Sequence, residues 1–179
     1  MQIFYTNTKQ PNSVQIKSNE SLGGYCSTSL VPSGENGVLF SEISMSDIEK
    51  DIKQYVGLML KNEEENTATG LSIYINKEVN SLCKYRIGFS VPNNEGMIEV
   101  IPSSKSKPYY VEFNTADGES DAITLPDMEK DQSLGLWVER SIDQESESIK
   151  NRNEPDYLYE HRNDTQPTNE KISIIVKWT

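Results

Sequence analysis

The last nine residues, Lys171-Ile172-Ser173-Ile174-Ile175-Val176-Lys177-Trp178-Thr179, decide the fold class. In an extended chain Ile172, Ile174, Val176 and Trp178 point one way, and Lys171, Ser173 and Lys177 the other. Successive side chains alternate across a strand, whereas a helix would repeat about every 3.6 residues. This stretch therefore reads as a half-buried strand, with Trp178 on its core face.

Moving outward, the same alternation recurs. In Cys83 to Val91, the residues Cys83, Tyr85, Ile87, Phe89 and Val91 oppose Lys84, Arg86, Gly88 and Ser90. Leu134, Leu136, Val138 and Ile142 share a face in the next clear stretch, with Trp137 opposite. Gly70 to Ile75 places Leu71, Ile73 and Ile75 together, and Gln54 to Leu60 sets Val56, Leu58 and Leu60 against Tyr55, Gly57 and Met59. Weaker strands are expected at Gln2 to Thr6, Tyr25 to Val31, Lys107 to Phe113 and Ala122 to Leu125. Only Ser46 to Ile52 reads as a helix. Ser46 and Glu49 are spaced as a capping box, and Ile48 and Ile52 form a narrow apolar stripe.

Short alternating strands separated by turn residues need a second sheet to bury their apolar faces. The continuous apolar runs of parallel α/β sheets are missing. The expectation is an all-β, two-sheet antiparallel sandwich, immunoglobulin-like or jelly-roll-like, with one short helix. The chain of 179 residues is expected to form a single domain over 1–179. Pro92 to Lys107 reads as irregular. Asp143 to Thr168 is long, polar and proline-containing, and reads as an extended arm or loop within that domain. Tyr157 and Tyr159 in it suit an interface anchor, since aromatics are enriched where proteins meet.

Composition narrows the function. Hydrophobic residues make up 35% of the chain, the mean hydropathy is -0.64, and the formal charge is -11. So acidic a chain is a poor ligand for phosphate backbones or anionic lipid, which attract Lys and Arg. Sequence-specific nucleic-acid binding and membrane docking are therefore not expected. The acidity reads first as a solubilising surface charge, and it also suits a channel past which DNA slides without sticking. The N-terminal MQIFYTNTKQ lacks the layout of a secretion signal, and no apolar run approaches the ~18 residues that span a bilayer. Cys26 and Cys83 sit among apolar neighbours and are expected as buried free thiols.

Catalytic constellations are thin. His161, the one histidine, lies in the polar arm beside Glu160 and Arg162, and no G-x-S-x-G elbow or phosphate loop is present. Asp117-Gly118-Glu119-Ser120-Asp121 has carboxylates at alternate positions, as hard-cation sites do. Asp-Gly is also a preferred tight turn, and the solvated turn is the expected reading. No enzyme activity, metal or cofactor is expected. Trp137 faces away from its strand's apolar set and is the better of the two tryptophans for a ligand or partner. Candidate interface residues are Trp137, Tyr157, Tyr159, His161 and Arg162.

Several short motifs then carry a resemblance. Ser21-Leu22-Gly23-Gly24 precedes a strand, and Val38-Leu39-Phe40 precedes the short helix. A strand ends in Lys61-Asn62, followed by Leu71 to Ile75. Ile123 to Met128 leads into Leu134-Gly135-Leu136-Trp137-Val138-Glu139-Arg140. This order, from Ser21 to Ile142 with the last strand, resembles small virion structural proteins of tailed bacteriophages. Those carry a Leu-Gly-Gly element, a Leu-Phe pair, a Lys-Asn strand end and a Leu-Trp-x-x-Arg strand. The paired basic residues after the Trp are reduced here to Glu139-Arg140. The resemblance implies a non-catalytic β-sandwich that forms a homo-oligomeric ring in the neck or tail, around the DNA ejection channel. Its partners would be copies of itself and other neck or tail proteins, and it would be made in the host cytoplasm and located in the virion. The Lys- and Asn-rich composition would suit a crAss-like phage. The competing expectation is a head-decoration or fibre protein that binds a host receptor or glycan.

Overall fold

The computed structural model describes residues 1–14, 17–32, 39–41, 43, 45–77, 81–145 and 172–179. The polar arm beyond Glu145 lies outside the described residues, and with it Tyr157, Tyr159, His161 and Arg162.

The described chain is all-β, with two antiparallel sheets. β1 (Gln2–Asn7), β2 (Gly24–Leu30), β3 (Gln54–Lys61), β5 (Cys83–Ser90), β6 (Met97–Ile98), β7 (Asn114–Thr115) and β9 (Ser133–Ile142) form a seven-stranded sheet in the order β6-β2-β1-β3-β9-β5-β7. β4 (Ser72–Lys77), β8 (Ile123–Thr124) and β10 (Ile172–Lys177) form a three-stranded sheet in the order β10-β4-β8. Three of the strong alternating stretches became the longest strands, β9, β3 and β5, while the last gave the six-residue β10. β9 pairs with β3 from Leu134↔Leu60 through Val138↔Val56, and with β5 from Leu136↔Phe89 to Ile142↔Cys83. Val56, Leu58, Leu60, Tyr85, Ile87, Leu134, Leu136 and Val138 meet Ile73, Ile75 and Ile172 of the small sheet in the main core.

The helix is shorter than its sequence pattern predicts. α1 spans Met45–Glu49, and Asp51 takes a left-handed φ of 47° that ends it. Lys107 to Phe113 is not a strand. Cys83 is buried and Cys26 half-buried, and both thiols are free. Among the described residues no helix is long and apolar enough to cross a membrane.

The main departure from the sequence reading concerns the second face of the large sheet. That face is not open to solvent. Phe4, Tyr55, Met59 and Trp137 point to it and are capped by Ile98, Ile101, Val111 and Phe113. The capping residues come from the stretch read as irregular and the one read as a weak strand. Backbone bonds fasten this cover: Ile101 N donates to Leu22 O at 3.0 Å, and Tyr55 N to Ser104 O at 2.6 Å. The β3-β9-β5 centre is therefore buried on both faces. Alternation within its strands separates two cores, not a core from water.

Glycines make room for that second layer. Trp137 pairs with Gly57 on one side and Gly88 on the other. A methyl group at Gly57 would stand 3.0 Å from the indole atoms Cη2 and Cζ3. One at Gly88 would stand 2.3 Å from Val111 Cγ1 and 2.6 Å from the Glu112 carbonyl oxygen. Glycine inside a strand marks such close approaches. The turn at Ser21-Leu22-Gly23 is locked beside Gly57 in the same way. Thr6 Oγ1 and Ser21 Oγ both donate to Gly57 O, at 2.9 and 2.6 Å, and Gly23 N donates to Thr6 Oγ1 at 3.0 Å.

Gly88→Ala is therefore expected to be destabilising, although the substitution normally favours a strand. Overpacking of this kind costs on the order of 1–3 kcal/mol. Urea denaturation of the two proteins measures it, and equal midpoints would contradict the close packing described.

Candidate functional site

Trp137, the foremost sequence candidate for a ligand or partner, is fully buried, with 0% of its surface exposed. It is a core residue of the second layer, so it presents no platform to a ligand. The expectation failed because the face opposite the main apolar set is itself a core. The signal that could have corrected it is the set of glycines, Gly57, Gly88 and Gly135, in the three central strands. Trp178 departs the other way. It lies just past the end of β10 and is 42% exposed, although the alternation placed it in the core.

The polar groups around the second layer are also structural. Glu139 is almost fully buried and faces Arg86 Nη1 at 3.5 Å. Its other partner is the Tyr55 hydroxyl, and Arg86 Nη2 donates to the Phe113 carbonyl. Burial first, and the Glu139 charge and hydrogen bond second, push the Tyr55 phenol up to about 12. Arg140, on the main-core face of the same strand, lies over the Phe40 ring at 4.8 Å. It donates to Ser41 O at 2.7 Å and also to Gln54 Oε1. These charges cross-brace strands and hold down the cover.

The Asp117 to Asp121 stretch is not the hairpin turn expected: Glu119–Asp121 forms a single 3-10 turn in the crossing from β7 of the large sheet to β8 of the small one. Gly118 has a φ of 101°, and Lys77 Nζ reaches Asp117 Oδ2 at 2.6 Å. Lys177 Nζ pairs with Glu119. Among the described residues no group of three or more His, Cys, Asp or Glu side chains is placed to hold a metal ion.

Two outward features remain. The first is a groove of about 650 Å³ on the inter-sheet side of β1 and β2, alongside β10. It exists because the sheets are unequal: β1, β2 and β6 extend the large sheet past β3, and the small sheet ends at β10. Its lining includes Ile3, Tyr5, Leu30, Ile174, Val176 and Trp178. No charged side chain occurs among the described residues that line it. Its volume falls within the ~300–1,000 Å³ typical of preformed binding sites. Trp178 is 42% exposed at its rim, while the pairing Phe4↔Leu30 turns the Leu30 side chain toward the other face of the sheet.

The second feature is Tyr109-Tyr110, which sequence reading did not single out. These side chains are 81% and 85% exposed. Their rings meet edge to face, with centroids 4.7 Å apart and planes at 79°. The backbone beneath them is held: Tyr109 N donates to Glu99 Oε2 at 2.8 Å and Tyr110 N at 3.4 Å. Val111 and Phe113 anchor the following residues in the second core. Two adjacent aromatics stand in water on a fastened loop.

No protein-family model matches the chain, and no curated protein or solved structure shows significant similarity to it.

The Tyr55 environment sets a pH dependence with a defined sign. The unfolded phenol ionises near its ordinary 10.0, while the folded one holds its proton to about 12. Its contribution to stability is complete below pH 10 and is lost as the pH rises through 12. Thermal midpoints measured from pH 9 to 12 are expected to fall, and Tyr55→Phe to flatten that fall relative to the wild type. An identical pH profile in the two proteins would rule the mechanism out.

Proposed function

We propose that this chain is a non-catalytic structural subunit of a tailed-bacteriophage particle, forming a homo-oligomeric ring in the neck or tail. One observation carries the reading: a sandwich whose described residues leave apolar surface exposed in two places, the groove beside β10 and the Tyr109-Tyr110 pair. Large exposed apolar patches on folded proteins mark contact sites. Tyrosine and tryptophan are common anchors in them, having an apolar body and a polar tip. Contact sites on different faces suit a heterologous, repeating assembly better than a two-fold dimer, which uses one patch twice. The short motifs shared with small virion proteins point to the particle, and the net charge of -11 suits a lumen that must not grip DNA.

A receptor- or glycan-binding fibre protein is the second reading, and the exposed tyrosine pair is what favours it. Perpendicular rings favour it less than parallel ones would, because a flat sugar ring can lie on only one of them.

The test is made on particles. Purified virions of the phage that encodes the chain should contain it at a fixed stoichiometry, and cryo-electron microscopy should place its density in a cyclic ring at the neck or tail. Its absence from virions would overturn the assignment. Binding of the isolated protein to host glycans, abolished by Tyr109→Ala with Tyr110→Ala, would replace it with the fibre reading.

A further inference from the structure

We propose that residues 91–113, the cover over the second core, lift from the large sheet as one body while the sandwich beneath stays folded. The motion would hide or bare the apolar face around Trp137. It goes beyond the ring reading and does not rest on it.

The cover has a hinge side and a latch side. The chain enters it from the end of β5 and leaves it into β7, which pairs with β5 at Arg86↔Thr115 and Ile87↔Asn114. Both covalent ends therefore stand at one strand, and Arg86 Nη2, donating to the Phe113 carbonyl, fixes the same side. From there the cover crosses β9, β3 and β1 to reach β2. There it is held without a covalent link. The ties are the two-residue pairing Gly24↔Ile98 and Tyr25↔Met97, the bond from Ile101 N to Leu22 O at 3.0 Å, and that from Tyr55 N to Ser104 O at 2.6 Å. Lys105 reaches Asp47 at 3.9 Å, a surface ion pair of the kind that contributes little. The strands beneath are held far more firmly, since β9 pairs with β3 and with β5 over eight residues each. Local opening follows the segments with the fewest such bonds.

Three further observations make the cover a separable unit. It is braced within itself: Glu99, beside the latch, accepts the N–H groups of Tyr109 at 2.8 Å and Tyr110 at 3.4 Å, which ties its outward run to its return. The closed state carries a polar penalty. Trp137 Nε1 and Ser90 Oγ are buried and have no hydrogen-bond partner among the described residues, and both belong to the covered face of the sheet. An unpaired buried donor costs free energy that opening returns, because water then supplies the partner. The main core is complete without the cover. It shares no buried residue with the second core, and none of its buried residues comes from 91–113. Val56, Leu58, Leu136 and Val138 stay packed against Ile73 and Ile75 when the cover lifts.

Hydrogen exchange of the full chain, followed amide by amide by nuclear magnetic resonance in native buffer, tests this. The Tyr55 and Ile101 amides donate across the latch and report lifting, while the amides shared by β3 and β9 report global unfolding. The latch amides are expected to share one protection factor, at least tenfold below that of the ladder. Ile73→Val, a conservative change in the main core, separates the two events. It is expected to lower ladder protection severalfold and to leave Tyr55 and Ile101 unchanged, because the lifted state keeps the main core. Latch amides as protected as the ladder, or lowered by Ile73→Val in step with it, would overturn the inference. Tyr55 and Ile101 exchanging with unrelated protection factors would also overturn it, by showing piecemeal fraying in place of one moving body.

Discussion

The indole of Trp137, laid over Gly57 of one neighbouring strand while Gly88 of the other leaves room for the cover, is the contact on which the rest of the structure depends. A side chain of any size at Gly57 would meet the ring, and one at Gly88 would meet the cover. Because both positions are bare, the large sheet has a second apolar face, and residues 97–113 can close over it. Burial of large aromatics is among the strongest stabilising contributions available to a fold. Here it is concentrated on one ring and on the Tyr55 and Phe113 rings beside it, whose centroids are 5.6 Å apart. The cost is polar. The Trp137 indole N–H has no acceptor among the described residues, and Glu139 must be held by Arg86 and Tyr55 to be tolerated there.

Much of this architecture was legible in the sequence. The period-two runs at Cys83, Leu134, Gln54 and Lys171 became β5, β9, β3 and β10, because alternation reports directly on which side chains leave water. Alternation does not report whether the other side also leaves water, and that is where the reading of Trp137 failed. A strand with Gly135, Trp137 and Glu139 on one side does not look apolar. It becomes a core face only when a distant segment supplies the cover. Residues 92–113 could not announce that role, since Ile98 and Ile101 stand alone in a polar stretch and the Val111-Phe113 spacing reads as a strand. The parity argument misled at Trp178 for a different reason: β10 ends at Lys177, and side-chain direction is no longer fixed by the pleat beyond it.

The exposed tyrosines were illegible for a related reason. Lys107 to Phe113 is rich in aromatic and β-branched residues and so resembles a strand. Pro108 is buried, Val111 and Phe113 are plugs in the second core, and Glu99 captures the backbone N–H groups that a strand would have given to a neighbour. Tyr109 and Tyr110 are left projecting between anchors. Nothing local distinguishes this from a strand, because the carboxylate that captures the N–H groups lies ten residues earlier.

The motifs that suggested a phage virion protein prove to be fold residues. Gly23 lies 3.2 Å, measured from an ideal Cβ position, from the end of the Trp137 indole, and Ser21 anchors that turn to Gly57. Phe40 of the Leu-Phe pair lies beneath the Arg140 guanidinium. Asn62, at the Lys-Asn strand end, donates to the carbonyls of Asn66 and Met128 at 2.9 Å each and fixes the corner where the chain leaves β3. Residues with these roles belong to the scaffold, and a scaffold does not determine a function. The surfaces that would select a partner lie elsewhere. Tyr109 and Tyr110 belong to none of those motifs and lie outside both cores. A chain built this way can keep its fold while its contacts change.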